Sequence, residues 1–161
     1  MSAITKRKKL IRKKSKQMFV EMIDQKGIRI EQMSDKICNR LKQLISFLNI
    51  RENDLIHCFA PIIGVEPNIW EIIEERKRVV IPKIISITDG TMEHYLYKGL
   101  RKSDLEESKY RIFEPRSFFD PIDNKDLTRI KLIVIPLVAF DQKGVRIGKG
   151  GGFYDRFFNK R

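Results

Sequence analysis

The sequence predicts a single three-layer α/β domain over residues 1–161, with a mostly parallel sheet and helices on both faces. Two runs of apolar and β-branched residues flank a short helical pattern, which predicts a βαβ unit over about 54–84. A third such run, at 131–136, adds another strand, and helical patterns precede and follow the strands. A chain of 161 residues is of the usual size for one domain with its own core.

Two helices are predicted before the first strand. A basic helix over about residues 5–25 contains no Gly or Pro until Gly27 ends it, and its apolar residues form a narrow stripe of Leu10, Met18 and Met22. The second helix has apolar residues at three- and four-residue spacing and therefore a wider apolar face: Ile30, Met33, Ile37, Leu41, Leu44, Ile45 and Leu48.

The βαβ unit begins with a strand at 54–61. Pro67 suits the first turn of the helix that follows, whose apolar face contains Ile69, Trp70, Ile72 and Ile73. The second strand covers 78–84, so the two strands are expected to be parallel with a right-handed crossover.

The rest of the chain contains two further predicted strands. Residues 92–97 follow a turn at Asp89–Gly90, whereas 101–126 are expected to be irregular or loop. The run at 131–136 is continuously apolar and is predicted to lie in the centre of the sheet. A turn follows at Asp141–Gly144.

The positive charge is concentrated near the N-terminus. The chain has 33 Lys+Arg and 21 Asp+Glu, a net charge of +12, and eight of these bases lie within residues 6–16. Such a block is typical of segments that bind phosphate, nucleic acid or anionic membranes, but also of solvated helix faces. No apolar run is long enough to span a bilayer, no secretory signal pattern occurs, and two Cys make no disulfide framework. We therefore expect a reduced, cytoplasmic protein.

The segment from Arg146 to Arg156 carries the strongest functional signal. Its four glycines within five residues favour a loop whose backbone N–H groups approach an anion closely, ahead of a helix N-terminus that also favours phosphate. Arg146 and Lys149 add positive charge, and Asp155 is an oxygen ligand suited to Mg²⁺ beside phosphates. The spacing matches neither a Walker loop nor a dinucleotide fingerprint, and a simple Gly-rich turn is the alternative.

This segment closely resembles the signature of the 5-formyltetrahydrofolate cyclo-ligase family, the methenyltetrahydrofolate synthetases. The chain reads IPLVAFD at 135–141 and GVRIGKGGGFYDR at 144–156, where the family has approximately P-G-L/V-A-F-D and G-x-R-L/I-G-x-G-x-G-Y/F-Y-D. It departs from that signature at Leu137 and Phe153. Three further matches extend the resemblance from near residue 6 to the end: the Lys8/Arg12 pair, Glu66 and Glu114–Pro115.

The resemblance implies an enzyme that uses ATP and Mg²⁺ to convert 5-formyltetrahydrofolate, including polyglutamated forms, to 5,10-methenyltetrahydrofolate, ADP and phosphate. The formyl oxygen attacks the γ-phosphate, and N10 then captures the activated carbon and expels phosphate. In this interpretation Arg146 and Lys149 are catalytic, Asp155 holds the metal, and Glu66, Phe153 and Tyr154 bind the folate. The implied ATP-binding residues are Lys8, Arg12, Arg146, Gly148, Lys149, Gly150, Gly151, Gly152 and Tyr154.

Simpler interpretations exist for several of these residues. Lys8 and Arg12 are two of eight neighbouring bases, Glu66 can favour the N-terminus of the helix near Pro67, and Tyr154 can be core. Asp155 can cap the final helix. Three further residues receive no site role: Trp70, His57 and His94. The competing functions are a basic nucleic-acid-binding protein, for which interleaved aromatics near the basic block are lacking, and a folate- or nucleotide-binding remnant without turnover.

The resemblance also implies a chain shortened at its C-terminus, because family members continue past the Tyr-Asp-Arg segment with further strands and a further acid near the metal. A split or frameshifted gene, an expression fragment and a degenerate copy are the three explanations. Loss of strands exposes a sheet edge, so we expect lower stability and self-association instead of the family's monomer.

Overall fold

The computed structural model describes residues 2–24, 29–62, 64–97, 105–108, 112–116 and 120–159. The basic helix predicted from the sequence is α1, whereas Gly27, expected to end it, lies outside the described residues. The elements in chain order are α1 (Ala3–Asp24), α2 (Ile30–Phe47), β1 (Ile56–His57), α3 (Trp70–Glu74), β2 (Val79–Ser86), β3 (Thr91–Tyr97), β4 (Leu105–Glu107), β5 (Phe113–Pro115), α4 (Asn124–Leu127), β6 (Leu132–Ile133), β7 (Ala139–Phe140), β8 (Arg146–Ile147) and α5 (Phe153–Asn159).

The main sheet has four strands in the order β3–β2–β1–β6. Ile56 of β1 lies opposite Val79 of β2 and Leu132 of β6, and both of these pairings are parallel. β3 runs antiparallel to β2. Because α3 connects the parallel strands β1 and β2, these elements form a βαβ unit. The prediction of an α/β fold with a mostly parallel sheet is confirmed.

Core side chains cover both faces of this sheet. Val79 of β2 packs in one apolar cluster with residues of α2 and with Ile73 of α3. Val80 points to the other face, where it packs with Leu127 of α4 and Phe157 of α5. Successive strand residues alternate between faces, so β2 supports helices on both sides. Phe157 thus holds α5 against the face of the sheet to which Val80 points.

The run at 131–136 lies at the edge of the described sheet, so the prediction of a central position was wrong. Leu132 and Ile133 of β6 are partly buried, whereas Ile56 and His57 of β1 are 0% exposed. β1 has a parallel neighbour on each side and therefore takes the interior position. An apolar run indicates burial on both faces but does not determine the order of strands.

Regular structure also occurs where the sequence predicted none. β4 and β5 form an antiparallel pair within the stretch expected to be irregular, and α4 lies in an expected loop. The pair is attached to β2 by Lys83, whose Nζ donates to the Pro115 carbonyl oxygen over 2.7 Å. α3 begins at Trp70, so Pro67 lies three residues before the helix and not in its first turn. Tertiary contacts with β2 therefore stabilise strands that local sequence does not predict.

The two N-terminal helices bury less apolar surface than their sequences suggest. α2 buries Ser34, Cys38 and Leu41, whereas Ile37 and Leu44 from its predicted apolar face are exposed. α2 approaches the segment before α3 through its small residues, since the backbone N–H of Asn68 donates to Ser34 Oγ over 2.8 Å. α1 has no buried residue. None of the helices in the described ranges has the length and apolar character needed to cross a membrane.

Candidate functional site

A cavity of about 390 Å³ lies between α1, the loop after β1, strands β2 and β3, and the segment from β8 to α5. Every residue to which the sequence or the resemblance gave a site role lines this cavity. They are Lys8, Arg12, Glu66, Arg146, Gly148, Lys149, Gly150, Gly151, Gly152, Phe153, Tyr154 and Asp155. The fold thus brings together residues separated by more than half of the chain.

The glycine loop, residues 148–152, joins β8 to α5. Gly150 and Gly152 have φ angles of 118° and 70°, which residues with a side chain rarely adopt. A Cβ atom on Gly151 would lie 2.5 Å from the Phe153 ring. The conformation therefore requires glycine at these positions, and it leaves the backbone open to close approach by a ligand.

Arg12 connects α1 to the glycine loop. Its Nε donates to the carbonyl oxygen of Gly148 over 2.8 Å. Its Cζ atom lies 3.5 Å from the position that a Cβ on Gly150 would occupy. Lys8, one turn earlier on the same face of α1, also lines the cavity. Arg12 thus contacts the loop, and a second of the eight clustered bases, Lys8, lies at the same cavity.

Arg156 contacts the glycine loop through another part of its backbone, and sequence reasoning gave this residue no role. Its Nη1 donates to the carbonyl oxygen of Gly151 over 2.7 Å. The guanidinium also lies against Gly90, where a Cβ atom would overlap it. The signal for this residue was its place directly after the Tyr-Asp pair of the signature. Arg12 and Arg156 together hold two carbonyl groups of the loop.

Two ion pairs join residues predicted to act on ligands. Lys149 Nζ lies 2.6 Å from Glu66 Oε1, and Arg146 Nη2 lies 2.6 Å from Asp155 Oδ1. The second oxygen of Glu66, Oε2, accepts the backbone N–H of Ile62 over 2.9 Å. Both Glu66 oxygens are therefore engaged, and a phosphate that attracts Lys149 must compete with Glu66.

Asp155 is placed where it would add a single oxygen ligand to a bound metal ion. Its side chain is 74% exposed and lies at the cavity beside the glycine loop. No group of three or more His, Cys, Asp or Glu side chains among the described residues could hold a metal. Mg²⁺ needs one or two carboxylates when nucleotide phosphates complete its octahedron. The residues present therefore fit a magnesium ion that arrives with a nucleotide.

Tyr154 belongs both to the cavity and to the core. Its ring packs edge-on against His57, with centroids 5.7 Å apart, and its buried Oη has no hydrogen-bond partner among the described residues. Burial, with smaller contributions from Cys58 and Glu66, raises the pKa of the Tyr154 hydroxyl, which therefore stays protonated. A buried donor without a partner beside a cavity is available to a ligand.

Two buried histidines lie behind Tyr154, and the sequence assigned neither of them a role. His57 Nε2 and His94 Nδ1 are 3.2 Å apart. Phe157 stacks on His57 and lies 4.3 Å, centroid to centroid, from His94. These rings pack β1 and β3 against α5. They therefore fix the helix that follows the glycine loop.

The wall formed by β2, β3 and β5 is largely apolar. Its lining residues include Ile84 and Met92, which lie opposite each other on β2 and β3. Glu114 of β5 is the exception, and its Oε1 accepts the backbone N–H of Ile84 over 2.9 Å. Burial raises the pKa of the Glu114 carboxyl, although the Ile84 N–H and the Lys83 charge oppose this. The cavity thus combines a cationic, glycine-lined part with an apolar part.

The sequence as a whole matches one family of known proteins. A sequence model described as the 5-formyltetrahydrofolate cyclo-ligase family covers residues 4–161. The 5-formyltetrahydrofolate cyclo-ligase of Escherichia coli is 35% identical over 94 residues, which are 58% of this chain and 50% of that protein. The Haemophilus influenzae protein of the same name is 28% identical over 127 residues, 78% of this chain and 65% of that protein. The chain thus spans about half of the first relative's length.

The fold is also similar to a solved structure. The NMR structure of Aquifex aeolicus 5,10-methenyltetrahydrofolate synthetase matches with a TM-score of 0.69 at 23% sequence identity. The match covers 94% of this chain and 72% of that one. At this identity the similarity is one of fold.

Proposed function

The chain belongs to the 5-formyltetrahydrofolate cyclo-ligase family, and on this premise we propose that it converts 5-formyltetrahydrofolate to 5,10-methenyltetrahydrofolate with cleavage of ATP to ADP and phosphate. The observation that carries this proposal is the composition of the cavity. A glycine loop with four cationic side chains adjoins an apolar wall, so a triphosphate and a planar heterocycle can lie in contact.

The proposed reaction has two steps. The formyl oxygen attacks the γ-phosphorus, an O–P bond forms, and the bond between the γ-phosphorus and the bridging oxygen breaks as ADP leaves. The lone pair of N10 then attacks the activated formyl carbon and closes the five-membered ring. The C–O bond breaks, phosphate leaves, and N10 loses its proton.

Phosphoryl transfer depends mainly on positioning and on neutralising charge. Lys8 and Arg12 would hold the triphosphate from α1 while the backbone of residues 148–152 donates hydrogen bonds to it. Arg146 and Lys149 would offset the charge that develops as the γ-phosphate moves. Each is ion-paired to a carboxylate, which keeps its side chain directed to the cavity.

Asp155 would hold Mg²⁺ together with the phosphate oxygens of ATP. When bound there, the ion would neutralise phosphate charge and orient the chain of phosphates. Asp155 would have to share its carboxylate with Arg146, whose Nη2 already donates to Oδ1.

The folate would occupy the apolar part of the cavity. Phe153 and Tyr154 line it and offer an aromatic surface, and Glu66 can accept hydrogen bonds from pterin N–H groups once Lys149 turns to phosphate. The Tyr154 hydroxyl can donate a hydrogen bond to either ligand. We extend the proposal to polyglutamated folates, because the exposed bases of α1 would attract an acidic tail.

The proposal places the protein in the cytoplasm. Cys38 and Cys58 are free and buried, which suits a reducing compartment.

Nucleic-acid binding is a second candidate because six of the eight clustered bases do not line the cavity. They are Lys6, Arg7, Lys9, Lys13, Lys14 and Lys16, all of which are exposed on α1. This function would give an affinity for DNA or RNA that falls steeply with salt. It would not require the glycine loop or the apolar wall.

The direct test is an absorbance assay for the methenyl product. The chain is mixed with 5-formyltetrahydrofolate and Mg²⁺, and ATP is then added. Growth of the methenyl absorbance that begins with ATP supports the proposal. If the methenyl absorbance does not grow in a sample that binds both ligands, the chain binds folate and nucleotide without catalysing the reaction.

A further inference from the structure

Glu114 is a buried carboxylate in the apolar part of the cavity wall. The residue is 5% exposed, and it lines the cavity from β5. The other lining residues on or next to β2, β3 and β5 are apolar: Pro82, Ile84, Met92 and Ile112. Burial of a carboxylate among apolar groups is unfavourable unless hydrogen bonds or charges compensate it.

The protein supplies part of that compensation. Glu114 Oε1 accepts the backbone N–H of Ile84 over 2.9 Å, which favours the charged form of the carboxyl. The ammonium group of Lys83 contributes a favourable charge. A carboxylate has about four acceptor sites, so the hydrogen bond from Ile84 leaves acceptor capacity at the cavity.

We propose that Glu114 is a recognition residue for the folate and accepts hydrogen bonds from an N–H edge of its pteridine ring. This inference rests on the proposed function and adds a residue to it. A pteridine has two apolar faces and neighbouring amino and ring N–H donors. Ile84 and Met92 would contact a face, and the carboxylate would pair with the donors.

Glu66 alone does not accept hydrogen bonds from all the N–H donors of a pteridine ring. Both of its oxygens are engaged in the structure, one by the backbone N–H of Ile62 and the other by Lys149. Glu114 Oε1 accepts a backbone N–H, which carries no charge, and its side chain has no ion pair among the described residues. The two carboxylates come from different elements, β5 and the loop after β1. They can accept hydrogen bonds from different edges of one ring.

Glu114 is also separate from the residues assigned to ATP. Lys8 and Arg12 belong to α1, and Arg146, Lys149 and the glycine loop belong to the segment from β8 to α5. Loss of the Glu114 charge should therefore weaken folate binding without changing ATP binding. This difference separates recognition from a general role in shaping the cavity.

The test compares Glu114→Gln with Glu106→Gln. Glutamine keeps an oxygen that can accept the Ile84 N–H but loses the charge and half of the acceptor sites. Glu106 is a carboxylate of the neighbouring strand β4, pairs with Lys83 over 3.1 Å and does not line the cavity. For each variant, the Kd of 5-formyltetrahydrofolate and the Kd of ATP are measured by titration calorimetry, and the unfolding midpoint is recorded.

For Glu114→Gln we expect the Kd of 5-formyltetrahydrofolate to rise at least about tenfold, as for loss of a hydrogen bond to a charged group. The ATP Kd of Glu114→Gln should stay within about twofold of the value for the unaltered chain. In Glu106→Gln, both the folate Kd and the ATP Kd should stay within about twofold of their values for the unaltered chain. An unchanged folate Kd in Glu114→Gln would overturn this inference and leave the proposed function standing. Equal weakening of ATP and folate would also overturn it, since Glu114 would then only shape the cavity. If the unaltered chain does not bind 5-formyltetrahydrofolate, both proposals fail.

Discussion

Arg12 Nε donates to the carbonyl oxygen of Gly148 over 2.8 Å and joins two segments 136 residues apart. α1 has no buried residue, and this hydrogen bond is one of the contacts that join it to the site. The bond places a guanidinium beside the glycine loop at the point where the proposed triphosphate would lie. One of eight clustered bases thus has a specific structural role.

The left-handed conformation of Gly150 should be essential for ATP binding. Gly150→Ala forces a side chain onto a φ of 118° and places its Cβ 3.5 Å from Arg12 Cζ. We expect the ATP Kd to rise about tenfold or more. Gly144→Ala is the matched control, because Gly144 has a φ of 79° in a turn outside the cavity with nothing within 4 Å. Equal ATP affinities in the two variants would contradict the role of the loop.

The bases of α1 should differ in their effect on ATP. Lys8→Ala and Arg12→Ala remove side chains that line the cavity, whereas Lys13→Ala and Lys14→Ala do not. We expect the KM for ATP to rise about tenfold in the first two variants and less than about twofold in the others. Steady-state kinetics with varied ATP measures this. A similar increase in all four variants would show that the charge acts collectively.

The ion pair between Glu66 and Lys149 predicts opposite effects on the two ligands. Glu66→Gln releases Lys149 for phosphate, so the ATP Kd should fall about two- to fivefold, the value of a partly exposed ion pair. Folate binding should weaken, because a carboxylate near the proposed pterin site is lost. Glu52→Gln breaks the exposed pair with Lys77 and is the control. Weaker ATP binding in Glu66→Gln would refute the competition between Glu66 and phosphate.

The buried carboxyl of Glu114 should make stability depend on pH. Its pKa is raised above the ordinary value of 4.5 mainly by burial, so the folded state holds the proton to a higher pH than the unfolded state. Stability is therefore lost as pH rises through the folded pKa, and each pH unit by which the pKa is raised corresponds to about 1.4 kcal/mol. Denaturant unfolding of the unaltered chain and Glu114→Gln from about pH 4 to about pH 8 should show the variant gaining relative stability with pH. If the free energy of unfolding of Glu114→Gln relative to the unaltered chain stays constant or decreases with pH, this prediction is contradicted.

Local sequence was sufficient for the elements whose pattern is repeated or strongly apolar. The basic helix, the βαβ unit around Ile56 and Val79 and the strand ending at Tyr97 were all predicted. The order of strands was not predicted, because β6 and β1 have similar apolar sequences and their positions in the sheet are set by which strands pair with them. The strand pair of β4 and β5 depends on contacts of Lys83 and Glu114 with other strands, which no local pattern encodes.

The candidate site could be predicted to the extent that it lies in a motif. The glycine loop, Arg146 and Asp155 are contiguous in sequence, and the structure places them at one cavity with Lys8 and Glu66. Arg156 was missed because its contacts with the Gly151 carbonyl oxygen and with Gly90 depend on how the loop folds. Glu114 belonged to a matched dipeptide, but its burial in an apolar wall becomes apparent only in three dimensions.

The most direct test of the central claim measures both products of the proposed reaction in one sample. The chain, ATP, Mg²⁺ and 5-formyltetrahydrofolate are mixed, and methenyl absorbance and ADP release are followed together. The account predicts that both rise at the same rate and that neither rises when ATP or the folate is omitted. ADP release that does not depend on the folate, or no methenyl product from a chain that binds both ligands, would contradict it.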